Sequence, residues 1–339
     1  MRIALDAMGG DHGPSEQIAG AIQALEESDL ELILVGDKSA IQSCLQKLAP
    51  ASNLLSRLEI VHTDEVVEMG ESPMEAIRKK KNSSVMLAFD LVKKGDAQAA
   101  VSAGNSGATM AAALRKLGRI KNVSRPGIAS AFPTLKKPVI MMDVGANVDC
   151  RPQHLFQFAI MASALSHVFD IESPRVGILS IGAESGKGNI LVKETHALLS
   201  KSSLNFIGNV EGRDIFQGDV DVIVCDGFVG NVCLKVSEGI IEAATEMLRD
   251  GIVNSLKAKI GYFLARPVFR KFKKRVDYAE YGGAPLLGIN GTGIICHGKS
   301  NAVAIKNAIL EAAKIVEIQV SDKIAKSLAE NEEPFVEEN

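Results

Sequence analysis

VDVIVCDGFVGN, residues 220–231, is the stretch on which the reading of this chain turns. Val222, Ile223, Val224 and Cys225 form a short apolar run rich in β-branched side chains, the pattern of a strand buried on both faces of a parallel sheet. Asp226 stands where such a strand must end. Gly227, Phe228, Val229, Gly230 and Asn231 read as a tight loop, with a helical pattern after it. A carboxylate, two glycines and an amide beyond the carboxyl end of a buried strand occupy the usual ligand position of open α/β sheets.

Four other stretches share this layout: MGGDHG (8–13), SAGNSGA (102–108), DVGAN (143–147) and GAESGKGN (182–189). The recurring strand–loop–helix alternation predicts an α/β fold built on a doubly wound, mostly parallel sheet. Residues 128–132 and 138–142 read as an antiparallel pair, at an edge or a lobe junction. Long helical patterns cover 233–274, residues 281–284 read as a loop, and 301–324 reads as one final helix. The acidic tail, 331–339, has the composition of a disordered segment.

A chain of 339 residues fits one large α/β unit or two lobes. Aromatic residues make up 4% of it and Trp is absent, which predicts an aliphatic core. A net charge of -3 gives no global attraction to nucleic acid. The five Cys contain no CxxC pair and the six His no zinc spacing, a pattern that fits reduced cytosolic thiols. The N-terminus reaches Asp6 and its glycines too soon for a signal peptide, and no apolar run approaches the roughly 20 residues of a spanning helix.

Glycines let backbone N–H groups approach a ligand, and a helix N-terminus adds positive dipole, so five such loops at one sheet edge would cradle an anion or a polar acyl group. The candidate binding residues are Gly9, Gly10, Asp11 and His12; Ser102, Gly104, Asn105, Ser106 and Gly107; Asp143 and Asn147; Gly186, Gly188 and Asn189; and Asp226, Gly227, Phe228 and Gly230. The alternative for each loop is turn chemistry and helix capping. GAESGKGN is one residue short of a P-loop, with Gly188 in place of the magnesium-binding hydroxyl, and no GxGxxG or GxSxG is present. Lys187 has little in a glycine-rich loop to pack its stem against, so it points at a ligand or into solvent. His12 reads as a general acid, a phosphate ligand or a loop brace. Cys225 falls in an apolar run and reads as a buried, inert thiol.

Residues 251–276 hold eight Lys or Arg and no acid. Leu256, Ile260, Phe263 and Leu264 recur at helical spacing, and Pro267 is expected to break the helix. A basic amphipathic helix suits an anionic membrane, an acidic protein or a dimer interface. Lys257, Arg266, Arg270, Lys273 and Lys274 supply its charge.

MRIALDAMGGDHGP at the N-terminus, KKKNSS (79–84), SAGNSGA, DVGANVDCRPQHL (143–155), GNVEGRD (208–214), DGFVGN and YGGAPLLG (281–288) resemble, in order and over essentially the whole chain, the phosphate acyltransferase family of acyl-carrier-protein:phosphate transacylases, the PlsX type. The resemblance implies transfer of a long-chain acyl group from acyl carrier protein to inorganic phosphate. The acyl phosphate would pass to a glycerol-3-phosphate acyltransferase at the entry to phospholipid synthesis. It further implies a two-lobed α/β/α fold like that of isocitrate and isopropylmalate dehydrogenases over residues 1–330, a homodimer, peripheral membrane association, and no metal or organic cofactor. Lys187 and Asn231 are the positions it connects with catalysis. Transfer from acyl-coenzyme A, a dehydrogenase on the same fold, and a non-catalytic membrane scaffold are the competing readings.

Overall fold

Among the residues the computed structural model describes, 1–276 and 278–331, eleven strands join one sheet. They are β1 (Arg2–Asp6), β2 (Glu31–Gly36), β3 (Leu58–His62), β4 (Ala99–Ser102), β5 (Gly127–Phe132), β6 (Val139–Met142), β7 (Val176–Leu179), β8 (Phe206–Val210), β9 (Val222–Val224), β10 (Ala284–Leu287) and β11 (Thr292–Ile295). Their spatial order is β3-β2-β1-β4-β11-β10-β5-β6-β9-β7-β8. Seven of the ten pairings are parallel. The three antiparallel ones lie together in the middle, at β11–β10, β10–β5 and β5–β6. The pair at 128–132 and 138–142 is therefore antiparallel as expected, and it is central rather than at an edge. Two parallel sets running in opposite senses flank this middle. Residues that follow strands of both sets nevertheless line one cavity.

The helices are α1 (Pro14–Glu27), α2 (Lys38–Leu48), α3 (Ser52–Leu55), α4 (Pro73–Lys79), α5 (Ser84–Lys94) and α6 (Ser106–Leu117) beside the first set. Then come α7 (Pro152–Leu165), α8 (Ile190–Leu199), α9 (Gly227–Val253), α10 (Leu256–Val276), α11 (Ala302–Glu317) and α12 (Val320–Glu330). Apolar faces of α1, α7, α11 and α12 cover one side of the sheet; α5 and α6 cover the other beside β1 and β4, giving an α/β/α sandwich. The core is mostly aliphatic, with Phe89, Phe132, Phe156 and Phe158 among its largest fully buried side chains.

Several expected boundaries move. The helix after β9 begins at Gly227, so the residues read as a loop are its first turn. Residues 281–284 end a short 3₁₀ turn and open β10. The final helix divides at Gln319, whose φ of 57° interrupts the helix between α11 and α12. Asn331, first residue of the expected tail, is buried and accepts hydrogen bonds from the Ser203 backbone and hydroxyl; the rest of the tail, 332–339, lies outside the described residues.

Pro267 does not end α10, which runs unbroken through it. Proline removes one hydrogen bond to the carbonyl of residue 263, and on this helix water can take that bond. No residue of α10 is buried. Leu256, Phe263 and Leu264 are 71–76% exposed, with Ile260 also exposed, and Lys257, Arg266, Arg270, Lys273 and Lys274 stand in solvent beside them. Between α9 and α10 lies an apolar cavity of about 360 Å3 lined by Leu248, Ile252, Tyr262, Phe269, Phe272 and Val276. No helix among the described residues is long and apolar enough to cross a membrane.

Candidate active site

A cavity of about 390 Å3 lies over the antiparallel middle of the sheet, with Ile128, Ser130 and Phe132 of β5 in its lining. Asp11, His297 and Gly298 reach it from loops of the first parallel set with Ser106 from the first turn of α6, and Val144 and Gly145 from the loop after β6 in the second set with Asn231 from α9. Strand-end loops from both sets thus share one space.

On the first side, Asp6 ends β1 with its carboxylate buried. It accepts from the Ser102 hydroxyl at 2.7 Å and the Met8 N–H at 3.2 Å, while Ser102 accepts the Gly104 N–H. Burial pushes the Asp6 carboxyl above its usual range, against the pull of those donors. A Cβ on Gly9 would come within 2.6 Å of the Gly104 nitrogen, so glycine is required where the two loops touch. Gly10 has φ of 101°, the Gly9 carbonyl accepts from Gln17, and the Asp11 N–H donates to Gly298 at 2.8 Å. Gly107 lies against the ring of Pro73. Asn105 caps α6 through the Ala108 N–H, and its amide donates to Met69 and Glu71 carbonyls, so its side chain is engaged in structure.

The second side is built the same way. Asp143 is fully buried at the end of β6. Its carboxylate accepts four backbone N–H groups, from Ile128, Gly145, Ala146 and Asn147, and the Asn147 side-chain amide. Desolvation still dominates and raises its pKa. Asp226 caps α9, accepting from Val229 N–H at 2.9 Å. The first turn of α9 packs straight onto the 143–147 backbone: Gly227 N–H donates to the Asn147 carbonyl at 2.7 Å, and a Cβ on Gly230 would collide with the Asp143 carbonyl oxygen. Asn231 follows, exposed to the cavity and beside Gly145. Cys225 lies behind, and burial drives its thiol well above the usual range, as befits an inert side chain.

Lys187, Gly186, Gly188, Asn189, His12 and Phe228 are not among the residues lining this cavity. The 182–189 loop follows β7, next to β9, so it stands at the same strand ends as Asn231. Lys187 is exposed, but its stem has something to rest on: a Cβ at Gly182 would meet Lys187 Cγ at 3.1 Å. Asn189 caps α8 through the Val192 N–H, and Gly188 has φ of 102° against Val192. The Phe228 ring is 61% exposed.

Two lining residues that sequence reading passed over are Lys235 and His297. Lys235 is four residues after Asn231, hence on the same helical face, a spacing that becomes visible once α9 starts at Gly227. His297 follows the apolar run of β11, in the strand–loop layout of the other five loops. Among the described residues no cluster of three or more His, Cys, Asp or Glu could hold a metal ion.

This two-set α/β sheet, with glycine-rich loops from both sets around one cavity, has a fold similar to that of phosphotransacylases. A phosphotransacetylase from Streptococcus pyogenes superposes with a TM-score of 0.61 at 19% identity over 94% of each chain, and the EutD phosphotransacetylase from Staphylococcus aureus with 0.60 at 18%, covering 93% of this chain and 94% of that one. A 4-hydroxythreonine-4-phosphate dehydrogenase from Klebsiella pneumoniae shares the fold at a TM-score of 0.55 and 14% identity, over 93% of this chain and all of that one. The family model described as "Fatty acid synthesis protein" matches residues 1–323. Curated relatives named phosphate acyltransferase include those of Trichlorobacter lovleyi, 54% identical over 98% of this chain and 95% of that one, and Geobacter sulfurreducens, 52% identical over 97% and 94%. The chain belongs to the phosphate acyltransferase family and is an acyltransferase.

Proposed function

We propose that this acyltransferase moves a long-chain acyl group from acyl carrier protein to inorganic phosphate. The observation that carries the reading is the cavity in which Asn231 and Lys235 of α9 face the loops holding Asp11, Ser106 and His297. The reaction joins a phosphate oxygen to the thioester carbonyl carbon, breaks the C–S bond, and passes the proton of HPO4²⁻ to the departing thiolate. Phosphate is already anionic near neutrality, so the protein must hold a dianion beside the carbonyl and stabilise the developing oxyanion. One well-placed donor is worth roughly 3–4 kcal/mol there, and holding the reactants together contributes a comparable or larger share.

In this reading the Asn231 amide polarises the thioester carbonyl, and Lys187 supplies positive charge from the neighbouring strand end. Asp143 and Asp226 are braces that set Asn231. Val276 lines both this cavity and the apolar one between α9 and α10, which gives the fatty chain a route away from polar groups. Residues 1–330 act as one two-lobed unit working as a homodimer. The basic α10, with its uncovered apolar residues, suits an acidic carrier and an anionic membrane surface, where a downstream glycerol-3-phosphate acyltransferase would take the product.

The test follows free thiol from palmitoyl-carrier protein with and without inorganic phosphate, trapping product with hydroxylamine. Phosphate-dependent release with an acyl hydroxamate is expected; equal release without phosphate makes the protein a thioesterase and overturns the reading. Lys187→Ala and Asn231→Ala should each lose about 10²-fold or more in turnover. Near-wild-type turnover in either folded variant removes that residue's role.

A further inference from the structure

We propose that the groove between α4 and α6 is the dock for the acidic carrier protein that brings the acyl thioester, held there by Arg78 and Arg115. The inference rests on the acyl-transfer reading and says where its protein substrate sits. The groove has a volume of about 760 Å3 and lies outside the cavity that Asn231 lines. Met74, Ile77 and Arg78 of α4 line it together with Ala111, Leu114 and Arg115 of α6. Each helix thus presents residues at i, i+3 and i+4, a single stripe, and each stripe ends in an arginine.

Charge singles this groove out. The neighbouring acids already have lysine partners: Glu75 pairs with Lys79, Glu71 with Lys80, and Asp90 with both Lys94 and Lys116. Arg78 and Arg115 are exposed and form no ion pair among the described residues. An acidic partner would meet two uncompensated guanidinium groups, which hold carboxylates through paired N–H donors. The floor between them is apolar. Ile77 is buried, Leu114 is half-buried, and Met74 is 73% exposed, a flexible side chain that adapts to a partner's surface. An apolar floor with a charged rim is the shape that takes an amphipathic helix. No aromatic side chain lines the groove for bases to stack on, and the broad exposed apolar surface that suits lipid is on α10. Carrier and membrane are thereby given separate faces of the protein.

The groove also leads to the chemistry. Pro73, at the start of α4, packs on Gly107 in the first turn of α6. Just before α4, the Met69 and Glu71 carbonyls accept from the Asn105 amide at 2.8 and 3.1 Å, which fastens the two segments together. Met69 and Ser106, one from each segment, line the cavity with Asn231. From Ser106 to Arg115 is nine residues of helix, about 14 Å. A carrier held at the arginines therefore has the cavity within reach of its extended prosthetic arm. A space of about 390 Å3 admits the arm and its thioester and leaves the protein outside.

The experiment measures binding of fluorescently labelled palmitoyl-carrier protein by anisotropy, then kcat and the KM values for carrier and phosphate. The proteins are wild type, Arg78→Glu with Arg115→Glu, Arg78→Lys with Arg115→Lys, and Arg270→Glu as an α10 control, each checked by urea unfolding. The double glutamate variant should raise the carrier Kd and KM about tenfold or more, with kcat and the phosphate KM within about twofold of wild type. The double lysine variant keeps the charge and should recover most of the binding. The gap between wild type and the double glutamate variant should close near 1 M salt, where the screening length is about 3 Å. A carrier Kd in the double glutamate variant within about twofold of wild type overturns the dock. So does a larger loss in Arg270→Glu, which moves the carrier to α10. Loss of phosphatidylglycerol-vesicle sedimentation with carrier binding unchanged gives the groove to lipid and overturns it as well. The binding measurement needs no turnover, which separates this inference from the activity. Carrier binding that falls in the double glutamate variant, while thiol release ignores phosphate, leaves the dock standing and removes the acyl-to-phosphate reading. Phosphate-dependent release with an unchanged carrier Kd in that variant does the reverse.

Discussion

Gly230→Ala is the sharpest test of how the site is built. A Cβ at residue 230 would lie about 1.5 Å inside ordinary contact with the Asp143 carbonyl oxygen and 3.0 Å from Cys225 Sγ. Neither neighbour yields easily. Asp143 is locked by its own N–H on the Cys225 carbonyl and by the five donors around its carboxylate, and Cys225 is buried. The first turn of α9 must back away instead, by an ångström or more, and Asn231 moves with it. Displacement on that scale costs about 10²-fold in a reaction governed by positioning. Overpacking adds about 1–3 kcal/mol of lost stability. The assay is phosphate-dependent thiol release, with urea unfolding on the same preparations. Gly239→Ala is the control, because a Cβ there on the same helix meets nothing within 4 Å, and alanine should stabilise the helix by about 0.5–1 kcal/mol without changing turnover. Turnover within threefold of wild type for Gly230→Ala, at unchanged stability, refutes the claim that this contact places Asn231.

Asp143→Ala leaves up to five part-buried donors without their acceptor, at roughly 1–3 kcal/mol for each that stays shielded and less for those water reaches; destabilisation of about 3 kcal/mol is expected by urea unfolding, with Asp143→Asn intermediate. Glu311 of α11 is partly covered overall but has its carboxyl enclosed beneath Gly283, whose N–H is 3.4 Å away, and burial pushes its pKa up to about 8. A carboxyl raised above its unfolded value of about 4.3 contributes stability that is full below that value and lost as pH rises through 8. Stability should therefore fall by an amount on the order of a few kcal/mol between pH 5 and 9, and Glu311→Gln should flatten that slope; an unchanged slope in the variant assigns the pH dependence to other groups.

The parallel sets of the sheet were legible because a strand buried on both faces leaves a plain mark. Val222, Ile223 and Val224 are all fully buried in β9, and no helix of ordinary amphipathicity would use three β-branched residues in a row there. The antiparallel middle left a weaker mark. Residues 281–284 read as a loop, and Pro285 just after them is no usual strand residue, yet it sits where β10 pairs with β11 alone, and pairing with β5 begins at Leu286. Proline costs a strand little where no second neighbour needs its N–H. The division between α11 and α12 had no signal at all, since neither Ile318 nor Gln319 is a usual helix breaker.

For the site, the same glycines served two physical purposes that look alike in one letter. Gly10 and Gly188 have positive φ and are turn glycines. Gly227 and Gly230 are helical, and glycine is needed there because α9 presses its first turn against the backbone of residues 143–147. Reading them as a loop delayed the start of the helix past Asn231, and with it the recognition that residues 231, 235 and 238 form one face. That face is what the cavity sees: an amide, an ammonium and a carboxylate in succession along α9. Lys187 drew notice because a lysine among glycines is conspicuous, whereas Lys235 sat within an ordinary helical pattern. A cation's usefulness to a phosphate depends on which groups converge with it, and convergence between α9 and the loop after β11 is a property of the folded sheet. Local sequence can show a strand end and a cap, but the imidazole opposite Lys235 lies 62 residues away, as His297.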